Sequence, residues 1–104
     1  MISVLFHPDA EAELDHTIGF YEERSRGLGL DFEREIISSL SIIHEDPRRW
    51  PIHKSGARKY TLQRFPFSIY YLELSDCIWI VAISHGSRKP NYWKDRIQDK
   101  PLDR

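Results

Sequence analysis

This chain lacks most of the features that announce a chemistry. Its 104 residues contain one cysteine, Cys77, which excludes an internal disulfide and fits a reducing, cytoplasmic setting. With no CxxC partner, Cys77 reads as a buried structural thiol. The five histidines, His7, His16, His44, His53 and His85, form no i,i+4 pair, so no metal site is expected. No glycine-rich loop precedes a helix to cradle a nucleotide, so no cofactor is expected either. No apolar run approaches membrane-spanning length, and no membrane partner is expected. The opening Met1-Ile2-Ser3-Val4-Leu5-Phe6 has no basic region before its short apolar stretch, and reads as a first strand rather than a leader. Without repeats, low-complexity tracts or linkers, residues 1–104 are expected to form one domain.

What the chain does have is a polarity of charge. The net charge is −1, yet residues 1–47 hold three Lys/Arg against eleven Asp/Glu, and residues 48–104 hold twelve against five. One reading is that acidic helices and a basic sheet solvate different faces. The other is that the second half attracts a polyanion or an acidic partner. The near-neutral total argues against broad, non-specific nucleic-acid binding.

Periodicity supplies the elements. Pro8 stands where a first helical turn tolerates proline, and Ala10, Leu14, Ile18 and Tyr21 share one helical stripe. Arg26-Gly27-Leu28-Gly29 breaks that pattern, and Phe32, Ile36, Leu40 and Ile43 carry a second helix that ends before Pro47. The short break predicts an antiparallel helical hairpin. A Pro- and Arg-containing connection over residues 47–57 follows, with Trp50 as its large apolar anchor. Strands are predicted from Arg58 to Arg64, Phe67 to Leu74 and Ile78 to Ser84, close enough to pair antiparallel. Trp79, Tyr60 and Tyr71 sit at strand spacing and read as core. Residues 91–98 read as a short helix or tail. The order is β-α-α-β-β-β, an α+β fold with a helical hairpin on a small, mainly antiparallel sheet.

The last predicted strand runs straight into His85-Gly86-Ser87-Arg88-Lys89-Pro90-Asn91-Tyr92-Trp93-Lys94-Asp95-Arg96. A rigid sheet thus delivers an imidazole, four cations and two large aromatics to one edge, a mixture suited to binding. A second basic run, Arg48, Arg49, Lys54, Arg58, Lys59 and Arg64, contains no acid. Both runs are expected on one continuous positive surface.

The order of elements resembles the RelE/ParE superfamily of toxins from type II toxin–antitoxin systems. The resemblance rests on Phe20-Tyr21-Glu22, Asp46-Pro47, Arg64-Phe65-Pro66-Phe67, Tyr70-Tyr71 and above all His85-Gly86 with Arg88, Pro90, Tyr92-Trp93 and Arg96. It covers nearly the whole chain and is nearest to the ParE-like, plasmid-stabilisation branch. It implies a toxin silenced by an antitoxin, ParD-like or similar. RelE-like members cleave messenger RNA in the ribosomal A site, whereas ParE-like members are described as inhibitors of DNA gyrase.

Particular residues separate those outcomes. Metal-independent RNA cleavage needs a base, an acid and cations for the developing phosphorane charge. The RelE-like pattern has an arginine on the central strand where this chain has Ser68, and a second lysine where it has Thr61. Lys59, Arg64, His85, Arg88 and Tyr92 remain as catalytic candidates if the chain is a metal-independent endoribonuclease. The incomplete set favours a protein that binds its target without chemistry, through Arg88, Lys89, Tyr92, Trp93 and Arg96. Arg48, Arg49, Lys54, Arg58 and Lys59 form the expected basic surface, which suits either nucleic acid or an acidic antitoxin segment. The alternative readings are a ribosome-dependent nuclease and a degenerate toxin that binds antitoxin only. Plainer roles stand beside these. His85 can simply hydrogen-bond backbone, Trp93 can close the core, and Arg96 can pair with an acid.

Overall fold

The computed structural model describes residues 3–101. Its elements are β1 (Ser3–Phe6), α1 (Pro8–Arg24), α2 (Leu28–Glu45), β2 (Arg58–Thr61), β3 (Phe67–Glu73) and β4 (Cys77–His85), with 3₁₀ turns at Pro47–Arg49 and Lys94–Asp99. The β-α-α-β-β-β order is the one the periodicity predicts. The first strand's Met1 and Ile2 lie outside the described residues. One mixed sheet has the order β1-β4-β3-β2. β1 runs parallel to β4, from Ser3 beside Cys77 to Phe6 beside Ile80, and β2, β3 and β4 are antiparallel neighbours.

Local chemistry sets the helix ends. Pro8 opens α1, and the His7 ring accepts the Asp9 N–H through Nδ1 at 2.9 Å, meeting one orphan donor of the first turn. The hairpin is tighter than the sequence suggests, because Leu28 and Gly29 already belong to α2. Glu22 of α1 explains this. Its carboxylate accepts the N–H groups of Gly27 (2.9 Å) and Gly29 (3.0 Å), capping α2 from outside. An anion there also meets the positive end of the helix dipole. Gly27 turns the chain at φ +86°, a left-handed conformation that glycine adopts at no steric cost. α2 buries Phe32, Ile36 and Ile43, with Leu40 half-buried, and ends before Pro47 as expected.

β2 ends at Thr61, three residues short of the predicted Arg64. The cause lies in α2. Glu35 Oε2 accepts from Gln63 N (2.7 Å) and Arg64 N (3.3 Å), so a helix carboxylate takes the place of ladder partners.

β4 is buried along nearly its whole length, with only His85 half-exposed. Ile78, Ile80 and Ile83 face the helices, together with Tyr60, Ile69 and Tyr71. Cys77, Trp79, Val81 and Ala82 face the other way. Consecutive residues on one face mark a bulge, and the β3–β4 register shifts between Tyr70 and Tyr71 to accommodate it. The second face is covered by the C-terminal segment. Trp93, 1 % exposed, lies 4.4 Å from the Tyr70 ring and packs with Tyr92 and Ile97 on this side. The sheet therefore carries core on both faces.

The helices approach closely at Gly29, where an added Cβ would stand 2.5 Å from the Ile18 carbonyl oxygen. Gly29→Ala is expected to force the helices apart at a cost of about 1–3 kcal/mol. The thermal midpoint should fall by about 4–8 °C for each kcal/mol lost in a chain of this size. A melt within 1 °C of the parent, from about ±0.2 kcal/mol, would show that the hairpin relaxes freely.

Candidate functional site

A cleft of about 280 Å³ lies where the second face of the sheet is left open beyond Trp93. Its floor is Ser68 and Tyr70 of β3 with Ser84 of β4. One wall holds His53 and Lys59, and the other is the loop after β4, bringing Arg88 and Lys89. No Asp or Glu lines it. Among the described residues, no ion pair engages Lys59, Arg88 or Lys89. The Lys59 ammonium stands 5.9 Å from the Tyr70 ring centre, and the Arg88 guanidinium lies 3.8 Å over the Tyr92 ring. Stacking orients both cations while leaving their N–H groups available.

Behind the Arg88 wall is a polar anchor that no local pattern announces. Glu13 of α1 accepts from Arg96 Nη1 (2.9 Å) and Nη2 (3.0 Å), from the Tyr92 hydroxyl (2.6 Å) and from Ile83 N (3.1 Å). Arg96 Nη1 also donates to the Val81 carbonyl at 3.0 Å. Both side chains of the pair are 16 % exposed, so the contact is a partly desolvated bidentate one, stronger than a surface ion pair. Burial works against the Arg96 charge, but the Glu13 hydrogen bonds and charge outweigh it and raise the pKa overall. Burial and the bond to Glu13 push the Tyr92 hydroxyl up to about 12.

These contacts assign the residues singled out from sequence. Arg88, Lys89 and Lys59 meet at the cleft. Lys94 continues beside them along a neighbouring groove that shares Lys89. Lys54 sits in the turn next to His53, closed by Gly56 N donating to the His53 carbonyl. Trp93 is buried and fills the core, and Arg96 is committed to Glu13, so neither presents a free contact surface. His85 accepts the Ser87 N–H at 2.9 Å through Nδ1. With that bond made, the neutral ring carries its proton on Nε2 and its Nδ1 lone pair is engaged by Ser87. Tyr92 donates its proton to Glu13.

The expected single basic surface divides in two. Lys59 and Thr61 alternate with Arg58 and Tyr60 along β2, so Arg58 points to the helix side. There it donates to the carbonyls of Arg48 (3.1 Å) and Trp50 (2.7 Å). Arg48 pairs with Glu73 at 3.0 Å, Arg49 stacks 4.9 Å over Trp50, and Arg64 faces Asp31 at 3.7 Å beside α2. The hydroxyls of Thr61 and Ser68, the two departures from the nuclease-like pattern, lie opposite one another and 3.3 Å apart. Ser68 on the floor is thus neutral where a cation would be wanted.

Three residues at or behind the site escaped the sequence reading. Glu13 reads with the solvated acidic residues of its helix, although it stands three residues from Ala10. His53 and Asn91 had no local signal. Among the described residues no group of His, Cys, Asp or Glu is placed to hold a metal ion.

The sequence profile described as ParE toxin of type II toxin-antitoxin system, parDE, matches residues 4–90. The chain belongs to the ParE toxin family. It is also similar in fold to a chain from the solved structure titled "Chromosomal ParDE TA system from P. aeruginosa", with a TM-score of 0.69 and 24% identity over 82% of this chain and 96% of that one. No curated protein matches the chain. The profile match spans both helices and every strand of this ParE-family chain, together with Arg88 and Lys89, and ends before Tyr92 and Arg96.

Two outcomes are expected from the Glu13 anchor. Glu13→Gln leaves the partly buried Arg96 with only the more exposed Asp9, 3.9 Å away, as counter-charge and should lower stability by about 2–3 kcal/mol, read by urea unfolding. A loss under about 1 kcal/mol would reduce the pair to surface strength. Tyr92, neutral in the fold to about pH 12 against 10.0 unfolded, lends stability that is complete below pH 10 and lost as pH rises through 12. Ultraviolet titration of Tyr92→Phe should show one late-ionising phenol fewer than the parent.

Proposed function

We propose that this ParE-family chain is the toxin of a toxin–antitoxin pair, neutralised by a cognate ParD-like antitoxin and acting in the cytoplasm on DNA gyrase through protein contact. The single observation supporting contact over RNA cleavage is the state of the cleft. Its cations bind, but the groups that the nuclease reading needs are engaged elsewhere. His85 Nδ1 accepts from Ser87, Tyr92 donates to Glu13, and Ser68 on the floor pairs with Thr61 where charge would be wanted. Losing a cation that meets transition-state charge costs about 3 kcal/mol of barrier, so a nuclease built on this cleft would be slow. Arg88 and Lys59 supply the contact chemistry, since they are exposed, unpaired among the described residues and held by aromatic faces. No described helix is long and apolar enough to cross a membrane.

Expression of the chain without antitoxin should stop growth with gyrase-linked DNA damage, while ribosome-bound messenger RNA stays intact in a programmed cleavage assay. Arg88→Ala should raise the toxin concentration for half-inhibition of gyrase about tenfold or more, the effect of a central contact residue. Codon-positioned cuts that vanish with Arg88→Ala or His85→Ala would replace this reading with a ribosome-dependent nuclease. A chain that binds antitoxin yet harms neither gyrase nor ribosome would mark a degenerate toxin.

A further inference from the structure

We propose that Glu13 and Tyr92 are positioning residues for Arg88. The carboxylate on α1 holds the phenol, and the face of the phenol seats the guanidinium that meets the target. The inference rests on Arg88 being the contact group of the proposed function. The placement of Arg88 is nevertheless read on the free chain, so the two fail separately.

Arg88 is a group that needs placing. It stands exposed on a loop, and among the described residues no ion pair engages it. A long side chain in that setting samples many rotamers, and ordering it on binding costs affinity. Its seat is the Tyr92 ring, whose centre lies 3.8 Å from the guanidinium carbon. Two backbone turns build that approach. Arg88 N donates to the His85 carbonyl at 3.0 Å, and Tyr92 N donates to the Lys89 carbonyl at 3.3 Å. The chain is thereby folded back until Tyr92 reaches the residue four positions before it.

The ring in turn is placed from α1. The Tyr92 hydroxyl donates to Glu13 Oε2 at 2.6 Å. Glu13 does not swing freely, because its oxygens also accept both Arg96 Nη groups and the Ile83 N–H. A helix and a buried strand therefore fix the far end of the phenol. The bond also acts on the electrons of the ring. A hydroxyl that donates to a carboxylate is polarised toward its ring, which makes the aromatic face a better seat for a cation. Of the two described cations at that ring, Arg96 lies 5.3 Å from its centre and is committed to Glu13. Arg88 is the one left to meet a partner. Removing the hydroxyl alone leaves the Arg96 and Ile83 bonds of Glu13 in place, so its loss separates the placement of Arg88 from the fold.

The test compares the full chain with Tyr92→Phe, which keeps the ring and loses the bond, and with Tyr92→Leu, which loses the ring. On the free chain, NMR relaxation of the Arg88 Nε–H group and the upfield ring-current shift of its δ protons report the seat. They should show an ordered side chain in the parent, a looser one in Tyr92→Phe and an unseated one in Tyr92→Leu. In gyrase supercoiling assays, Tyr92→Phe should raise the concentration for half-inhibition about threefold to tenfold. A double-mutant cycle separates placement from folding. In an Arg88→Ala background Tyr92→Phe should change inhibition by less than about twofold, whereas a folding effect would act in full in both backgrounds. Arg88 signals that are the same in Tyr92→Phe as in the parent would overturn the proposal. So would parental inhibition by Tyr92→Phe, or its full effect in the Arg88→Ala background. A parent chain that leaves gyrase unharmed would sink the proposed function, and the Arg88 signals would then decide the placement alone.

Discussion

The structure turns on what happens along the edge of β4 after β1 has ended. β1 accompanies β4 only from Cys77 to Ile80, yet β4 continues to His85. Beyond that point one edge of a buried strand has no neighbouring strand, and its polar groups need partners from elsewhere. His7 N closes the first gap by donating to the Ile80 carbonyl at 2.9 Å. Glu13 and Arg96 close the next, the carboxylate taking the Ile83 N–H and the guanidinium the Val81 carbonyl. A carboxylate only accepts and a guanidinium only donates. Neither could therefore do the other's work, and each cancels the charge the other brings into a partly desolvated place. An apolar replacement of both would remove the desolvation cost but leave two strand groups unpaired.

The same pair fixes the geometry of the cleft. Glu13 holds Tyr92 through its hydroxyl, Tyr92 presents its ring to Arg88, and Arg96 secures the turn that carries Trp93 onto the sheet. Trp93 then covers only part of the second face. The bulge at Val81 puts both Val81 and the small Ala82 in the cluster that Trp93 joins. Past it the phase of β4 brings Ser84 to the same face, and the cross-strand partner of Ser84 is Ser68. Two small hydroxyl residues side by side leave a hollow that larger residues would fill. The cleft thus follows from strand phase and side-chain size.

Most of the fold was legible because its signals are local. A continuous apolar run rich in β-branched and aromatic residues marked β4, the stripe from Ala10 to Tyr21 marked α1, and Pro8 and Pro47 marked helix ends. Where the reading missed, a carboxylate distant in sequence decided the outcome. Glu22 tightened the helical hairpin, Glu35 shortened β2 across a separation of 28 residues, and Glu13 met Arg96 across 83. Acidic residues on a helix read as solvated surface by default, and nothing in periodicity says which of them will meet a backbone N–H. The basic run was over-read for a related reason. Counting cations ignored strand alternation, which parts Lys59 from Arg58 at the next position.

What the site can do is likewise decided by a few contacts on a fold able to support more than one activity. The sheet and its terminal loop present cations to a concave face. Proton-transfer chemistry there would need a base, an acid and a floor cation that are present and free. Here Ser68 on the floor pairs with Thr61, the imidazole is tied to Ser87, and the phenol serves the strand edge through Glu13. Restoring one element would not restore the set. An arginine at position 68 would have to fit a site that is 8 % exposed and lose the Thr61 contact, while the His85 Nδ1 lone pair would still be engaged by Ser87. Groups that act as a unit in catalysis give little when returned singly. Contact chemistry asks less, because each exposed cation contributes where it stands, and Arg88 and Lys59 already stand where a partner can reach them.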